Sequence, residues 1–207
     1  LDKLHVGFIG GGVMATSILS EDDQALGIIS GFLKTKTFSN DRVHVFDISE
    51  ARVNYFKSVG IVVDKTIPDL VDSCDVIILA VKELDAAEGS CVAGILLTLL
   101  DEPMSNVNSF SPKKLFISIA CGITIKQISD KVCPMCPFNP QIPPTGCGIV
   151  RLLPNTPCSV LKGICCYTLG PNTDEQTSIL MKEMFCNLGE ILQIPEYYMD
   201  GSLDSIS

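Results

Sequence analysis

Positive charge is scarce in this sequence. Fifteen lysines and arginines stand against 24 aspartates and glutamates, for a net charge of −9 and a pI near 4.6. A surface of that sign is poorly matched to nucleic acid or to an anionic membrane. No apolar run approaches the ~18 residues that a helical membrane span requires. No signal peptide is expected, because Leu1-Asp2-Lys3 leads straight into an apolar strand, and the missing initiator methionine reads as a trimmed start. There is no low-complexity segment, and nothing repeats beyond alternating strand and helix. Histidine is rare too. His5 and His44 stand at the starts of the first two expected strands, away from Cys133-Pro134-Met135-Cys136 and Cys147. C-x-x-C is a metal-knuckle spacing, but a structural zinc takes four ligands. Three local cysteines fall short, so no metal is expected and these read as surface cysteines.

What is present favours a folded core. The chain has 207 residues and is 46% hydrophobic, enough for one large domain or one domain plus a fragment. Ten cysteines would suit a disulfide framework in a small secreted protein. Here several stand in expected strand cores, as at Cys74 and Cys165. Reduced thiols in a cytoplasmic protein are the reading.

The most informative stretch is His5-Val6-Gly7-Phe8-Ile9-Gly10-Gly11-Gly12-Val13-Met14-Ala15. An apolar strand runs into Gly10-x-Gly12-x-x-Ala15, and a helix-forming segment follows. This is the dinucleotide fingerprint in its G-x-G-x-x-A form. Gly10 lets the chain turn out of the strand. Gly12 lets a pyrophosphate approach the backbone, and Ala15 lets helix and strand pack closely. The free N–H groups at the helix start then face the anion.

The rest alternates. Val6–Ile9 is continuously apolar, as a strand buried on both faces is. Ile18-Leu19 and Ile28-Ile29 read as two halves of one helix face, split by an acidic insertion at residues 20–24. Val43–Phe46 is the second strand, ending in Asp47, and Glu50–Ser58 a helix with Ser49 as its N-cap. Ile61–Val63, Asp75–Lys82 and Leu115–Ala120 are further strands. Helices are expected at Pro68–Asp72, near Leu84–Leu100, and from Thr124. Residues 103–112 form a polar loop, and residues 131–148 a proline- and cysteine-rich one. Ile149–Leu153, Cys165–Leu169 and Ile191–Ile194 complete the strands. Thr173-x-x-Gln176 is a capping-box signature for a helix to about Leu188, ended by Gly189. The fold class is α/β: a doubly wound, mostly parallel Rossmann sheet with helices on both faces.

In such a fold a cofactor lies across the carboxyl ends of the strands. Five segments end there: Gly10–Met14, Asp47, Ala80–Lys82, Ala120–Gly122 and Pro154–Pro157. Their wording is specific in combination. Gly7–Ala15, Asp75–Lys82, Ile117-Ser118-Ile119-Ala120-Cys121-Gly122-Ile123-Thr124 and Val150-Arg151-Leu152-Leu153-Pro154-Asn155-Thr156-Pro157 together resemble pyrroline-5-carboxylate reductase, in that family's order and over nearly the whole chain. The resemblance implies NAD(P)H-dependent reduction of a cyclic imine to L-proline. It also implies a Rossmann domain, here residues 1–194, followed by a helical domain that dimerises and completes the active site. Residues 195–207 would be the truncated start of the connecting helix, so this chain is expected to bind cofactor without turning over imine. The full-length protein would be a homo-oligomer through the missing domain.

The resemblance carries cofactor contacts to Ile9, Gly10, Gly11, Gly12, Val13 and Met14 in the glycine loop. Ala80, Val81, Lys82 and Glu83 follow at the fourth strand, then Ile119, Ala120 and Cys121 at the fifth, and Asn155. The sequence departs from the family at Val13, where Asn is common, and at Glu83, where Pro is usual. The proline- and cysteine-rich loop is extra. No catalytic residue can be named, because the imine-binding segment is absent. Lys82 reads as a phosphate or solvent contact rather than an acid catalyst, and Glu196 as a surface residue of the interdomain stretch. Asp47 bears on cofactor choice: a carboxylate there can accept from the ribose hydroxyls and would repel a 2′-phosphate. Glu50 adds a second negative group, and Arg52 is the nearby cation, read as turned along its helix. NADH is therefore expected to bind somewhat better than NADPH. The competing readings are a β-hydroxyacid-type dehydrogenase of the same fold and a non-catalytic NAD(P)-binding remnant.

Overall fold

The computed structural model describes residues 1–10, 27–80, 114–120, 122–132, 147–155, 157–158 and 161–199. Its first strand, β1 (Val6–Ile9), has all four residues buried. β2 (Val43–Phe46) pairs with one edge of it and β4 (Val76–Leu79) with the other, both parallel. β3 (Val62–Val63), β5 (Leu115–Ser118), β6 (Gly148–Leu153), β7 (Gly163–Leu169) and β8 (Gly189–Gln193) complete an eight-stranded sheet in the order β3-β2-β1-β4-β5-β6-β7-β8. The chain thus winds outward one way from β1, then crosses back to wind the other way from β4. This is the doubly wound order.

Alternation along the strands divides the core into two layers. Phe8, Val45, Ile78 and Ile117 face one way, where α1 (Ile28–Lys34), α2 (Glu50–Ser58) and α5 (Glu175–Phe185) supply Phe32, Phe56 and Phe185. Ile9, Ile77, Leu79 and Phe116 face the other way, where α3 (Ile67–Ser73) and α4 (Ile125–Val132) supply Leu70, Val71 and Ile128. On the first face Phe32 is the hub. Its ring centroid lies 6.3 Å from that of Phe8, 5.2 Å from Phe38 and 5.4 Å from Phe185, in tilted arrangements favoured by aromatic quadrupoles.

Several local expectations are corrected. Ser49 makes no side-chain cap for α2; instead its N–H donates to Asp47 Oδ1 at 2.8 Å. Thr66 caps α3 by accepting from Asp69 N–H at 3.2 Å. The capping box of α5 lies one residue on from Thr173 and Gln176. Asp174 accepts from Thr177 N–H at 2.9 Å, while Thr177 Oγ1 accepts from Asp174 N–H at 3.3 Å. Thr173 is already committed to Gly170 O at 2.6 Å. Cys74 closes α3 rather than lying in a strand, and Cys147 is fully buried rather than exposed. Only Val62 and Val63 pair in β3. β7 is antiparallel to β6, because the nine residues 154–162 are too few for a crossover. β8 then runs parallel to β7 by way of α5. The helix expected near residues 84–100, the insertion at 20–24 and most of the proline-rich loop lie outside the described residues.

Gly7 shows how tightly the second layer is built. A Cβ there would come within 2.5 Å of Leu70 Cδ2 and 2.8 Å of Cys74 Sγ, and Leu70 is itself fully buried. Gly7→Val is therefore expected to cost about 1–3 kcal/mol by overpacking, read from the urea midpoint. An unchanged midpoint would mean that α3 is free to move off the sheet.

Candidate functional site

The register brings four of the expected segments to one edge. Ile9 is level with Phe46 and Leu79, and Leu79 with Ser118. The ladder then continues for one residue. Gly10 N–H donates to Phe46 O at 2.8 Å, Ala80 N–H to Ile9 O at 2.9 Å, and Ile119 N–H to Leu79 O at 3.1 Å. Gly10, Asp47, Ala80 and Ile119 therefore sit side by side at the carboxyl ends of β1, β2, β4 and β5. The winding direction reverses between β1 and β4, and an open sheet of this kind forms its binding crevice at that point.

Gly10 has φ of +89°, a conformation strained for any side chain, so the sharp exit from β1 requires glycine. Gly122, after β5, has φ of +71°, and among the described residues nothing lies within 4 Å of where a Cβ would stand. Ala80, Ile119 and Ala120 are buried, so what they present at the edge is backbone. Gly11, Gly12, Val13, Met14, Val81, Lys82, Glu83 and Cys121 lie outside the described residues.

Asp47 is not a lone carboxylate. Besides its bond from Ser49, its Oδ2 lies 3.4 Å from Arg52 Nη1, and its side chain is only 5% exposed. Arg52 is one-third exposed and turns back over the end of β2, contrary to the expectation that it points along the helix. Asn155 is exposed, but its Oδ1 already accepts from Ile164 N–H at 2.9 Å. Its amide N–H groups are what it can present to a ligand.

Glu196 departs from its expected surface role. Its Oε1 accepts from Ile125 N–H at 2.8 Å, at the start of α4, and lies 3.3 Å from Arg151 Nη1. Arg151 is 1% exposed in β6. Glu196 thus straps the residues after β8 to a helix N-terminus and to a buried cation. The signal for this was a single arginine within Ile149-Val150-Arg151-Leu152-Leu153. An arginine in a buried strand needs an acceptor, but the sequence does not say which.

A second polar chain links the opposite ends of β1 and β2. His5 Nδ1 lies 3.2 Å from His44 Nε2, and His44 Nδ1 lies 3.0 Å from Asp64 Oδ2. Among the described residues no cluster of three or more His, Cys, Asp or Glu is placed to hold a metal, and no helix is long and apolar enough to cross a membrane.

No family model matches the chain. It is 24% identical over 199 residues to pyrroline-5-carboxylate reductase 3 of Danio rerio, covering 96% of this chain and 57% of that protein. It is 26% identical over 201 residues to the pyrroline-5-carboxylate reductase of Glycine max, covering 97% and 61%. The chain is similar to pyrroline-5-carboxylate reductases over nearly its whole length. The resemblance read from the four motif stretches is thereby borne out. In fold, the crystal structure of the Plasmodium falciparum pyrroline carboxylate reductase with NADP bound superposes with a TM-score of 0.69 at 22% identity, covering 97% of this chain and 61% of that one. The chain spans about three-fifths of the length of these relatives.

Removing the Glu196 carboxylate deprives α4 of a cap and Arg151 of a partner. Glu196→Ala is expected to destabilise the chain by about 1–2 kcal/mol, the range for a hydrogen bond to a charged group that is partly solvated. A loss of only a few tenths in denaturant titration would show that the strap carries no weight.

Proposed function

We propose that this chain supplies the dinucleotide-binding part of an NAD(P)H-dependent reductase that converts 1-pyrroline-5-carboxylate to L-proline. The observation that carries the reading is the convergence of Gly10, Asp47, Ala80 and Ile119 at the switch point, with the left-handed Gly10 opening the fingerprint. The site suits a nicotinamide dinucleotide. Among the described residues, a sharp glycine exit, backbone at the strand ends and open space beside Gly122 suit a ligand laid along the edge. We assign Ile9 through Met14 to the pyrophosphate and Asp47 to the adenosine ribose. We assign Ala80 through Glu83, Ile119 through Cys121, and the Asn155 amide to the nicotinamide end of the cofactor. When bound, the cofactor supplies the hydride. The protein must hold imine and dinucleotide within reacting distance and keep water out. Residues 1–194 form the binding domain in this reading, and residues 195–207 lead toward the part that meets the imine. The reading extends to a cytoplasmic homo-oligomer.

Binding is expected of this chain, and turnover of the whole protein that contains it. The test of function uses reduced cofactor deuterated at the transferring position, with deuterium sought in L-proline. Failure of the chain to bind either NADH or NADPH would overturn the reading. Gly10→Val should weaken both cofactors at least tenfold, on the order of 1.4 kcal/mol, because a β-branched residue resists positive φ. Unfolding midpoints recorded alongside separate loss of the site from loss of the fold.

Cofactor choice turns on the Asp47–Arg52 pair. A 2′-phosphate would stand beside the Asp47 carboxylate, and the guanidinium that could receive it is already engaged there. NADH is expected to bind more tightly than NADPH, by roughly threefold to tenfold, or up to about 1.4 kcal/mol. Asp47→Ser frees Arg52 and should reverse the order; Arg52→Ala should widen the gap. Tighter binding of NADPH by the unaltered chain would show that Asp47 does not read the ribose.

A further inference from the structure

Cys158 and Cys165 face each other with their sulfurs 3.4 Å apart. Both are buried, at 5% and 1% exposure. Three features of the fold build this contact. The chain after β6 turns back on itself, with Leu161 N–H donating to Cys158 O at 3.1 Å and Lys162 N–H to Pro157 O at 3.1 Å. Gly163, the first residue of β7, has no side chain; a Cβ there would lie 2.1 Å from Cys158 Sγ and 2.7 Å from Cys158 Cα. The Cys158 backbone therefore rests directly on the strand. Cys165 lies two residues along, so its side chain leaves the same face as the vacant Gly163 position and meets the Cys158 sulfur. Asn155 Oδ1 anchors the turn, accepting from Ile164 N–H at 2.9 Å and from the Cys158 thiol at 3.5 Å.

We propose that Cys158 and Cys165 form a reversible dithiol–disulfide site whose oxidant is a small-molecule disulfide. Cys158 is the attacking sulfur. The Cys165 S–H donated toward it brings its thiol down to about 7, and the same bond together with burial drives Cys165 upward. The Cys158 thiolate displaces one sulfur of the small disulfide, forming a mixed disulfide and releasing a small thiolate. Cys165 passes its proton to that departing thiolate and attacks Cys158 Sγ, releasing the second small thiolate, which takes up the proton that Cys158 had lost to solvent. Two protein thiols together lose two electrons and two protons, and the small disulfide gains both to become two thiols. The sulfurs close from 3.4 Å to about 2.05 Å, by a shift of the short turn that carries Cys158. Oxidation also removes the S–H that Asn155 accepts, so the state of the pair reaches the carboxyl edge of the sheet. Two other described thiols, and Cys166, whose thiol burial also pushes up, differ from Cys158. Burial pushes Cys74 up to about 12, and Cys186 is exposed, with its Sγ 3.7 Å from Glu183 O.

The test equilibrates the folded chain in mixtures of reduced and oxidised glutathione, blocks free thiols, and digests with trypsin without reduction. Lys162 lies between the two cysteines, so peptides 152–162 and 163–182 stay together only if a disulfide joins them. The joined pair is expected at more reducing mixtures than any other cross-link. It should vanish with dithiothreitol, survive Cys166→Ser, and be lost in Cys165→Ser, where Cys158 is left as a mixed disulfide with glutathione. Cys186 reports whether the reagent has acted. Cys158 found free, or only glutathionylated, in the unaltered chain when Cys186 has reacted overturns the proposal. So does a joined pair that persists in Cys165→Ser.

Discussion

β1 is paired along both edges and covered on both faces, and the rest of the sheet is arranged by how those four surfaces are used. Its backbone donors and acceptors are consumed by β2 on one side and β4 on the other, so none is left unpaired in the core. One face carries Phe8 against Phe32; the other carries Gly7, where Leu70 and Cys74 close on the strand. At Gly7 the missing side chain lets α3 pack directly against the strand. Because β2 and β4 are reached by separate crossovers, the winding reverses at β1, and Gly10 leaves the strand at the point of reversal. The candidate binding edge thus follows from the burial of one strand.

The far half of the sheet answers to a different constraint. The short connection after β6 reverses β7, and a reversed strand cannot extend the carboxyl edge. It instead brings its own start, Gly163 to Cys165, back to that edge beside Asn155 and Cys158. The turn that carries Asn155 is therefore held by strand backbone, through Ile164 N–H, rather than by a helix. Opposite in character is Glu196, which ties the residues after β8 to α4 and to Arg151. A buried guanidinium in an otherwise apolar strand is tolerated because a carboxylate from a distant part of the chain reaches it.

Charge at the edge is decided by pairs rather than by single residues. Asp47 read alone is an acceptor awaiting a ribose. In the fold it serves Ser49 N–H and lies against Arg52. The carboxylate is thereby fixed in place, and its negative charge is partly met before any ligand arrives.

Features set by neighbours along the chain were legible in the sequence. The all-apolar run at Val6–Ile9 announced a strand buried on both faces, Gly10 announced a backbone turn that only glycine takes easily, and strand–helix alternation announced a doubly wound sheet. Each depends on local sterics and on a period of hydrophobicity, which a linear chain displays. The partners of Arg151, Asp47 and Cys158 were not legible. Glu196 lies 45 residues from Arg151, and Cys165 meets Cys158 only because Gly163 lacks a side chain and β7 runs backward. Even the capping residue of α5 moved by one place, because Thr173 had a turn carbonyl to satisfy first. Which donor meets which acceptor is settled by distances in space, and those exist only once the sheet has been ordered.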